Sequence, residues 1–218
     1  MKRRQWLQWI AASGAAGASG LVSQALAKGD LPEGVHKLDG TATVNGKPAR
    51  VGSPVVVGDR VATGASSQAV VVIGSDAFLM RGQTTIEFKG NSGGVLSGML
   101  VASGKVLSVF SKKPVAIKAV SASIGIRGTG AYLEVNGTEV YFCLCYGEAL
   151  VEGPGMSAKE VHTRHHESPL IIREEGGIMH ADPGPFRNHT DAELIMLEAL
   201  VGREPPFMKD GVYPAGKY

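Results

Sequence analysis

Two cysteines and a downstream run of histidines are the residues of this chain whose types and spacing could do chemistry. Cys143 and Cys145 stand in Val140-Tyr141-Phe142-Cys143-Leu144-Cys145-Tyr146. Period-two alternation puts both sulfurs on one face with Tyr141, and Phe142 and Leu144 on the other. In a flat strand the Cβ atoms of residues i and i+2 lie about 6 to 7 Å apart, beyond the roughly 3.5 to 4.5 Å that a disulfide needs. An intramolecular bridge therefore requires a distorted backbone. His162, His165 and His166 follow beyond a turn at Gly153-Pro154-Gly155. Two thiolates with imidazoles form a donor set for a soft or borderline cation. Cys143, Cys145, His162, His165 and His166 are thus candidate ligands of a transition metal or metal cofactor, whose identity the spacing leaves unknown. Two other readings stay open: thiols buried as small apolar side chains, and a strained or intermolecular disulfide. On an extended segment beside the cysteine strand, His162 and His166 point one way and His165 the other. Glu167, Glu174 and Glu175 read as surface charge.

Gly125-Ile126-Arg127-Gly128-Thr129-Gly130 has the look of a phosphate cradle, but such loops must open a helix so that backbone N–H groups meet the anion. Here the segment opens Ala131-Tyr132-Leu133-Glu134-Val135, an alternating strand. The expectation is a structural motif of Gly125, Arg127, Gly128, Thr129 and Gly130. In it the glycines permit a bulge, and Arg127 folds inward or along the sheet to donate to carbonyls the bulge leaves unpaired. No Gly-x-Ser-x-Gly elbow, His-Glu-x2-His helix or convincing carboxylate pair is present, so no catalytic residues and no enzyme activity are expected.

The elements that must position the cysteines read as β-structure. The chain has 218 residues, 30 of them glycine and 11 proline, in a composition that is 44% hydrophobic. That balance suits many short strands joined by tight turns. The fold class is all-β: a single domain of many short strands, either a rolled sandwich or solenoid-like, with one short C-terminal α-helix. Asn45-Gly46 and Asn136-Gly137 are hairpin signals. Short strands are expected at Thr41 to Val44, Ala49 to Val51 and Val55 to Val57. Gln68 to Ile73 suits a strand covered on both faces. Leu96 to Val101 and Lys105 to Phe110 are expected as two strands with a break at Ser103-Gly104. Thr190 or Asp191 is the N-cap of a helix through Val201, stopped by Gly202 and Pro205-Pro206. From Met208 onward the chain reads as a tail. A net charge of +2, with 19% charged residues, gives no basic stripe for a phosphate backbone, so nucleic acid is excluded as a partner.

Lys2, Arg3 and Arg4 precede an Ala/Gly-rich apolar run ending in Ala25-Leu26-Ala27. This is the pattern of a cleaved export signal, and Arg3-Arg4-Gln5-Trp6-Leu7 matches the twin-arginine type that exports folded chains. The expected location is the periplasm of a Gram-negative bacterium, with no stable transmembrane anchor once the signal is cleaved. The expected organisation is a signal peptide over 1–27, a β-domain over 28–152, a His-rich β extension over 153–189, and a C-terminal helix and tail over 190–218.

Several short motifs occur in a fixed order: Asp39-Gly40-Thr41-Ala42, Val51-Gly52-Ser53, Val57-Gly58-Asp59-Arg60-Val61-Ala62-Thr63-Gly64, Ala69 to Gly74, Ser103-Gly104-Lys105-Val106 and Ile126-Arg127-Gly128-Thr129. In that order they resemble the FecR-domain family over Leu38 to Glu152. The resemblance implies an extracytoplasmic all-β domain. Its named members pass a signal from an outer-membrane transporter across the inner membrane to a sigma factor. This sequence departs from them in having no cytoplasmic N-terminal segment followed by a spanning helix, so sigma-factor control is not carried over. What the resemblance implies here is a FecR-like β-domain, exported whole, acting as a non-catalytic binding or scaffolding module with a protein or cell-envelope partner of unknown identity. The metal-binding reading is the alternative.

Overall fold

The computed structural model describes residues 33–209, so the export signal expected over 1–27 lies outside the described residues. The fold is mostly β, as the composition predicts. In chain order the strands are β1 (Gly34–Asp39), β2 (Ala42–Val44), β3 (Lys47–Pro48), β4 (Arg60–Thr63), β5 (Gln68–Ile73), β6 (Asp76–Met80), β7 (Thr85–Gly90) and β8 (Leu96–Val109). They continue as β9 (Pro114–Ala119), β10 (Ala122–Arg127), β11 (Gly130–Asn136), β12 (Glu139–Glu152), β13 (Lys159–Thr163), β14 (Leu170–Glu175) and β15 (Ile178–Pro183). Two helices follow, α1 (Asp191–Leu200) and α2 (Pro206–Lys209).

The strands form two sheets that share their longest members, which settles the architecture as a rolled sandwich. One sheet runs β1-β5-β6-β8-β11-β12-β14-β15. The other runs β3-β2-β4-β7-β8-β9-β10-β12-β13. Both β8 and β12 are 14 residues long and pass from one sheet into the other. The passage happens at glycines in the left-handed region, Gly104 (φ 89°) and Gly147 (φ 100°). The break expected at Ser103-Gly104 is therefore a bend inside one strand: the ladder continues, and the strand only changes partners.

Several other local expectations are corrected. Asn45 and Gly46 both have positive φ, as a two-residue hairpin turn of that type requires, but only Thr43↔Pro48 and Val44↔Lys47 pair across it. Ala49 to Val51 and Val55 to Val57 are turns and irregular chain, because Gly52 and Gly58 turn the backbone back before a ladder can form. In the β11–β12 hairpin Asn136 pairs with Glu139, so the turn sits on Gly137-Thr138, one residue beyond the expected place. Met208 and Lys209 belong to α2 and not to a tail. Among the described residues no helix is long and apolar enough to cross a membrane.

Two apolar clusters follow from the alternation. Between the sheets lie Phe78, Phe88, Ile86, Met99, Phe110, Ile117, Leu133, Phe142 and Leu144, among others, all buried. The outer face of the first sheet carries a second cluster with Val70, Val72, Leu79, Leu107, Tyr132, Tyr141, Cys143, Cys145 and Tyr146. α1 and α2 cover that face with Leu194, Leu197, Leu200 and Phe207. α1 starts at a capping box. The Thr190 side chain accepts from the Glu193 backbone N–H while the Glu193 side chain accepts from that of Thr190.

Candidate metal centre

The face expected for the cysteines is the face they occupy, since Cys143 and Cys145 point into the outer cluster while Phe142 and Leu144 point between the sheets. Both thiols are buried, and no bridge joins them in this structure. Two histidines meet them. Cys143 Sγ is 3.6 Å from His166 Nδ1, Cys145 Sγ is 3.5 Å from His189 Nε2, and those two nitrogens are 3.2 Å apart. All four donor atoms lie within 4.8 Å of one another. A tetrahedral ion with bonds of about 2.3 Å to sulfur and 2.0–2.1 Å to nitrogen has S···N edges of about 3.6 Å and N···N edges of about 3.3–3.4 Å. The S···N distances of 3.6 and 3.5 Å match those edges, and the N···N distance of 3.2 Å is slightly shorter.

The outer nitrogen of each imidazole is held by an acceptor. His166 Nε2 lies 3.0 Å from Asp191 Oδ1, and His189 Nδ1 lies 2.8 Å from the carbonyl oxygen of Arg187. An N–H donated outward to each acceptor leaves the inner nitrogen of each ring with its lone pair directed at the sulfurs. This carboxylate–histidine and carbonyl–histidine support is what ligating histidines use to fix their tautomer. Asp191 also accepts from His165 Nε2 at 2.9 Å. The Tyr132 ring stacks on His189 at 4.4 Å, Phe186 packs on both His166 and His189, and Phe207 packs on His165. The donor set therefore sits inside an aromatic shell.

Local backbone geometry brings His166 to the sulfurs. β13 ends at Thr163, and Glu167 Oε2 accepts from Thr163 Oγ1 and the Arg164 N–H, tightening the turn that follows. His166 itself has φ 55°, unusual for a residue with a Cβ, and its N–H donates to the Cys145 carbonyl at 3.0 Å. His189 is delivered from the other side, one residue before the α1 cap.

The charge distribution is uneven. A hydrogen bond from Cys145, ahead of those from His166 and His189, holds the Cys143 thiol down to about 4, overcoming the burial that pushes it up. Burial pushes Cys145 well above the ordinary thiol value, and the neighbouring Cys143 thiolate adds to this. Burial draws His166 down, yet hydrogen bonds to Asp191 and Cys143 win and raise it. Asp191 is held below the ordinary carboxylate value by His166 and His165, against its own burial.

Of the residues singled out in the sequence, Cys143, Cys145 and His166 come together here. His165 is buried but turned to Asp191, one step behind the donor set. His162 is outside it: its side chain is 63% exposed and sits 3.7 Å from both Glu148 and Glu160. The strand carrying it pairs with β12 only over Gly147 to Val151, beyond the bend and away from the sulfurs. The expectation that His162 and His166 share a direction fails because the strand stops between them. His189, which completes the set, was not among the expected ligands. The one signal for it was its place directly before the Thr190 cap.

The Gly125 to Gly130 segment is structural, but not through Arg127. Alternation along β10 buries Ala122, Ile124 and Ile126 and turns Arg127 outward into solvent, where freed carbonyls are out of its reach. Gly128 takes φ 64°, and Gly130 abuts the Tyr146 ring, where a Cβ would come within 2.5 Å.

A scan of protein-family models and a search of curated proteins gave no match. Two solved structures of a candidate anti-sigma factor from Parabacteroides distasonis, at 2.50 and 1.65 Å resolution, are similar to this chain with TM-scores of 0.48 and 0.47. The identities are 9% and 11%, and each match covers 57% of this chain and 59% of that one. This chain thus matches less than two thirds of the length of those structures.

Proposed function

We propose that this chain is an exported β-domain protein holding one mononuclear transition-metal ion at Cys143, Cys145, His166 and His189. The observation that carries this reading is the convergence of four donor atoms within 4.8 Å of one another: two imidazole nitrogens 3.2 Å apart, facing two sulfurs at 3.5 and 3.6 Å. Two lone pairs at that separation repel unless a cation or proton stands between them. Two thiolates balance the charge of a divalent ion, which keeps the buried centre neutral.

The centre is structural in kind and not catalytic. Four protein donors fill a tetrahedral shell, whereas catalytic sites of this class keep a position open for water or substrate. Cys143, His166 and Asp191 also line up as a nucleophile, its base and an orienting carboxylate would. Their burial argues against that use: the side chains of His166 and Asp191 are 0% and 3% exposed and Cys143 is 0% exposed, so a substrate carbonyl has no approach to the sulfur. Export to the periplasm is supported by Arg3-Arg4 and the Ala25-Leu26-Ala27 site. A route for folded chains suits a protein that acquires its ion before leaving the cytoplasm. In this reading the β-domain is a non-catalytic module of the cell envelope, the use that the FecR-like motifs imply.

The test is elemental analysis of protein matured through its native export route. One ion per chain is expected, lost in Cys143→Ser. Absence of a stoichiometric ion, or an ion content indifferent to that substitution, rejects the reading.

A further inference from the structure

The four donors come from three separate pieces of chain. Cys143 and Cys145 lie on β12, His166 on the β13–β14 connection, and His189 directly before α1. Cys145 and His189 are 44 residues apart in sequence, and His166 and His189 are 23 apart. A bond from each to one ion closes long loops, which is where a cross-link restricts the chain most.

The piece so tied down has little regular structure of its own. Residues 184–190 form no helix or strand, and α1 is 10 residues long, short for a helix to persist in water without packing. It rests on the outer cluster through Leu194, Leu197, Leu200 and Phe207. Its polar ties to the sheet lie mostly at the two ends of the segment, from Tyr141 to the Pro185 carbonyl, from Asn188 and Arg187 to Glu134, from Arg81 to the Asn188 carbonyl and from Arg203 to the Ser75 carbonyl. Arg81 pairs with Glu193 at 2.9 Å with both side chains 25% exposed, and Glu198 takes Arg203 Nε at 2.6 Å and the Tyr146 hydroxyl. Exposed or half-exposed pairs of the first kind contribute little. Beneath α1 the sheet presents three tyrosines and two thiols among its apolar residues, a poorer apolar surface than the core between the sheets. None of the four donors belongs to that inner core.

We infer that the ion is a latch: it fixes the C-terminal segment 184–209 over the outer face of the first sheet, and its loss undocks that segment while the sandwich stays folded. The inference rests on the metal reading above. With the ion in place, His189 is bonded through it to β12 at the entry to α1. Without it, His189 keeps only its contacts with His166 Nδ1 at 3.2 Å and Cys145 Sγ at 3.5 Å, weaker ties at that entry than bonds through an ion. The inner core is untouched by the exchange. Undocking uncovers Val70, Val72, Leu79 and Leu107, so the ion controls exposure of an apolar face.

Hydrogen exchange on the full mature chain, loaded with Zn(II) or stripped by a chelator, tests this with zinc content measured in parallel. The amides of Leu194 to Val201 are expected to exchange at least about tenfold faster after stripping, while those of β5, β6 and β11 keep their rates. Zinc bound at one per chain with α1 exchange unchanged on stripping overturns the latch and leaves the metal reading standing. Loss of protection across β5, β6 and β11 together with α1 also overturns it, because the ion would then hold the whole fold. A wild-type chain that takes up no Zn(II) removes both. His189→Gln, which keeps three donors, is expected to show the fast α1 exchange with Zn(II) present; wild-type protection in that variant contradicts the latch.

Discussion

His166 Nδ1 and His189 Nε2 stand 3.2 Å apart, each ring anchored from behind, one by Asp191 and the other by the Arg187 carbonyl. Each ring is thereby held with its other nitrogen facing the sulfurs, where loss of a proton to an incoming cation leaves a ligating lone pair. Removing either should be felt first by the ion. His166→Ala and His189→Ala are each expected to weaken Zn(II) binding by more than about a hundredfold, above what loss of a supporting partner costs. His162→Ala should leave binding unchanged, since that side chain sits with Glu148 and Glu160 in solvent. Competition titration against a chromophoric chelator checks all three.

Asp191 should matter by a different amount. It touches no expected ion, yet it holds His166 and His165 at 3.0 and 2.9 Å. Asp191→Asn is expected to lower affinity by roughly ten- to a hundredfold while saturating Zn(II) still reaches one ion per chain. The same titration carried to saturation separates this result from loss of a ligand.

The sign of the pH dependence follows from Cys143. Its thiol is held at about 4, against 9.0 for an ordinary thiol, so its contribution to stability is fully present above pH 9 and is lost as pH falls toward 4. The stability of the metal-free protein should therefore rise with pH across the neutral range, and Cys143→Ser should flatten that rise. His166, raised above 6.5, works in the opposite sense: its contribution is present below 6.5 and is lost as pH rises through its folded value. Because Cys143 helps to raise His166, the difference between wild type and Cys143→Ser reports the sulfur together with its effect on that imidazole. Urea unfolding of chelated protein between about pH 5 and 8 checks the slope.

The glycines of the Arg127 segment should divide sharply. At Gly130 a Cβ would meet the Tyr146 ring at 2.5 Å and Leu194 at 3.1 Å, pressing on the contact between sheet and helix. Gly130→Ala is expected to cost roughly 1–3 kcal/mol as an overpacking change. At Gly125 the nearest atom to a Cβ is the Leu150 carbonyl oxygen at 4.0 Å, and Gly125→Ala should stay within about 0.5 kcal/mol of wild type. Denaturant midpoints of the two variants give the comparison.

Much of the scaffold was legible in the sequence because period-two alternation is local. It placed Phe142 and Leu144 on one face and Cys143 and Cys145 on the other, without saying which faces the core, and Gln68 to Ile73 as a strand covered on both faces. A helix cap at Thr190 or Asp191 was legible for the same reason, since the capping box that Thr190 makes spans only the four residues to Glu193. What a local pattern cannot carry is a change of partner along one strand. Gly104 reads as a break and Gly147 carries no signal, whereas both are bends at which β8 and β12 cross from one sheet to the other. That crossing decided the histidines. It sent β13, and His162 with it, past the sulfurs, and left His166 to reach them by a left-handed backbone just beyond the strand. His189 was hidden by distance: 44 residues separate it from Cys145, and no spacing rule joins a residue before a helix cap to a strand that far back.

X-ray absorption at the metal edge tests the mononuclear centre most directly, on protein loaded with one Zn(II) per chain. A four-coordinate ion with two sulfur neighbours at about 2.3 Å and two nitrogen neighbours at about 2.0–2.1 Å, reduced to one sulfur in Cys145→Ser, is the predicted result. A shell of oxygen and nitrogen alone, or one unchanged by Cys145→Ser, would contradict a Cys143, Cys145, His166 and His189 centre.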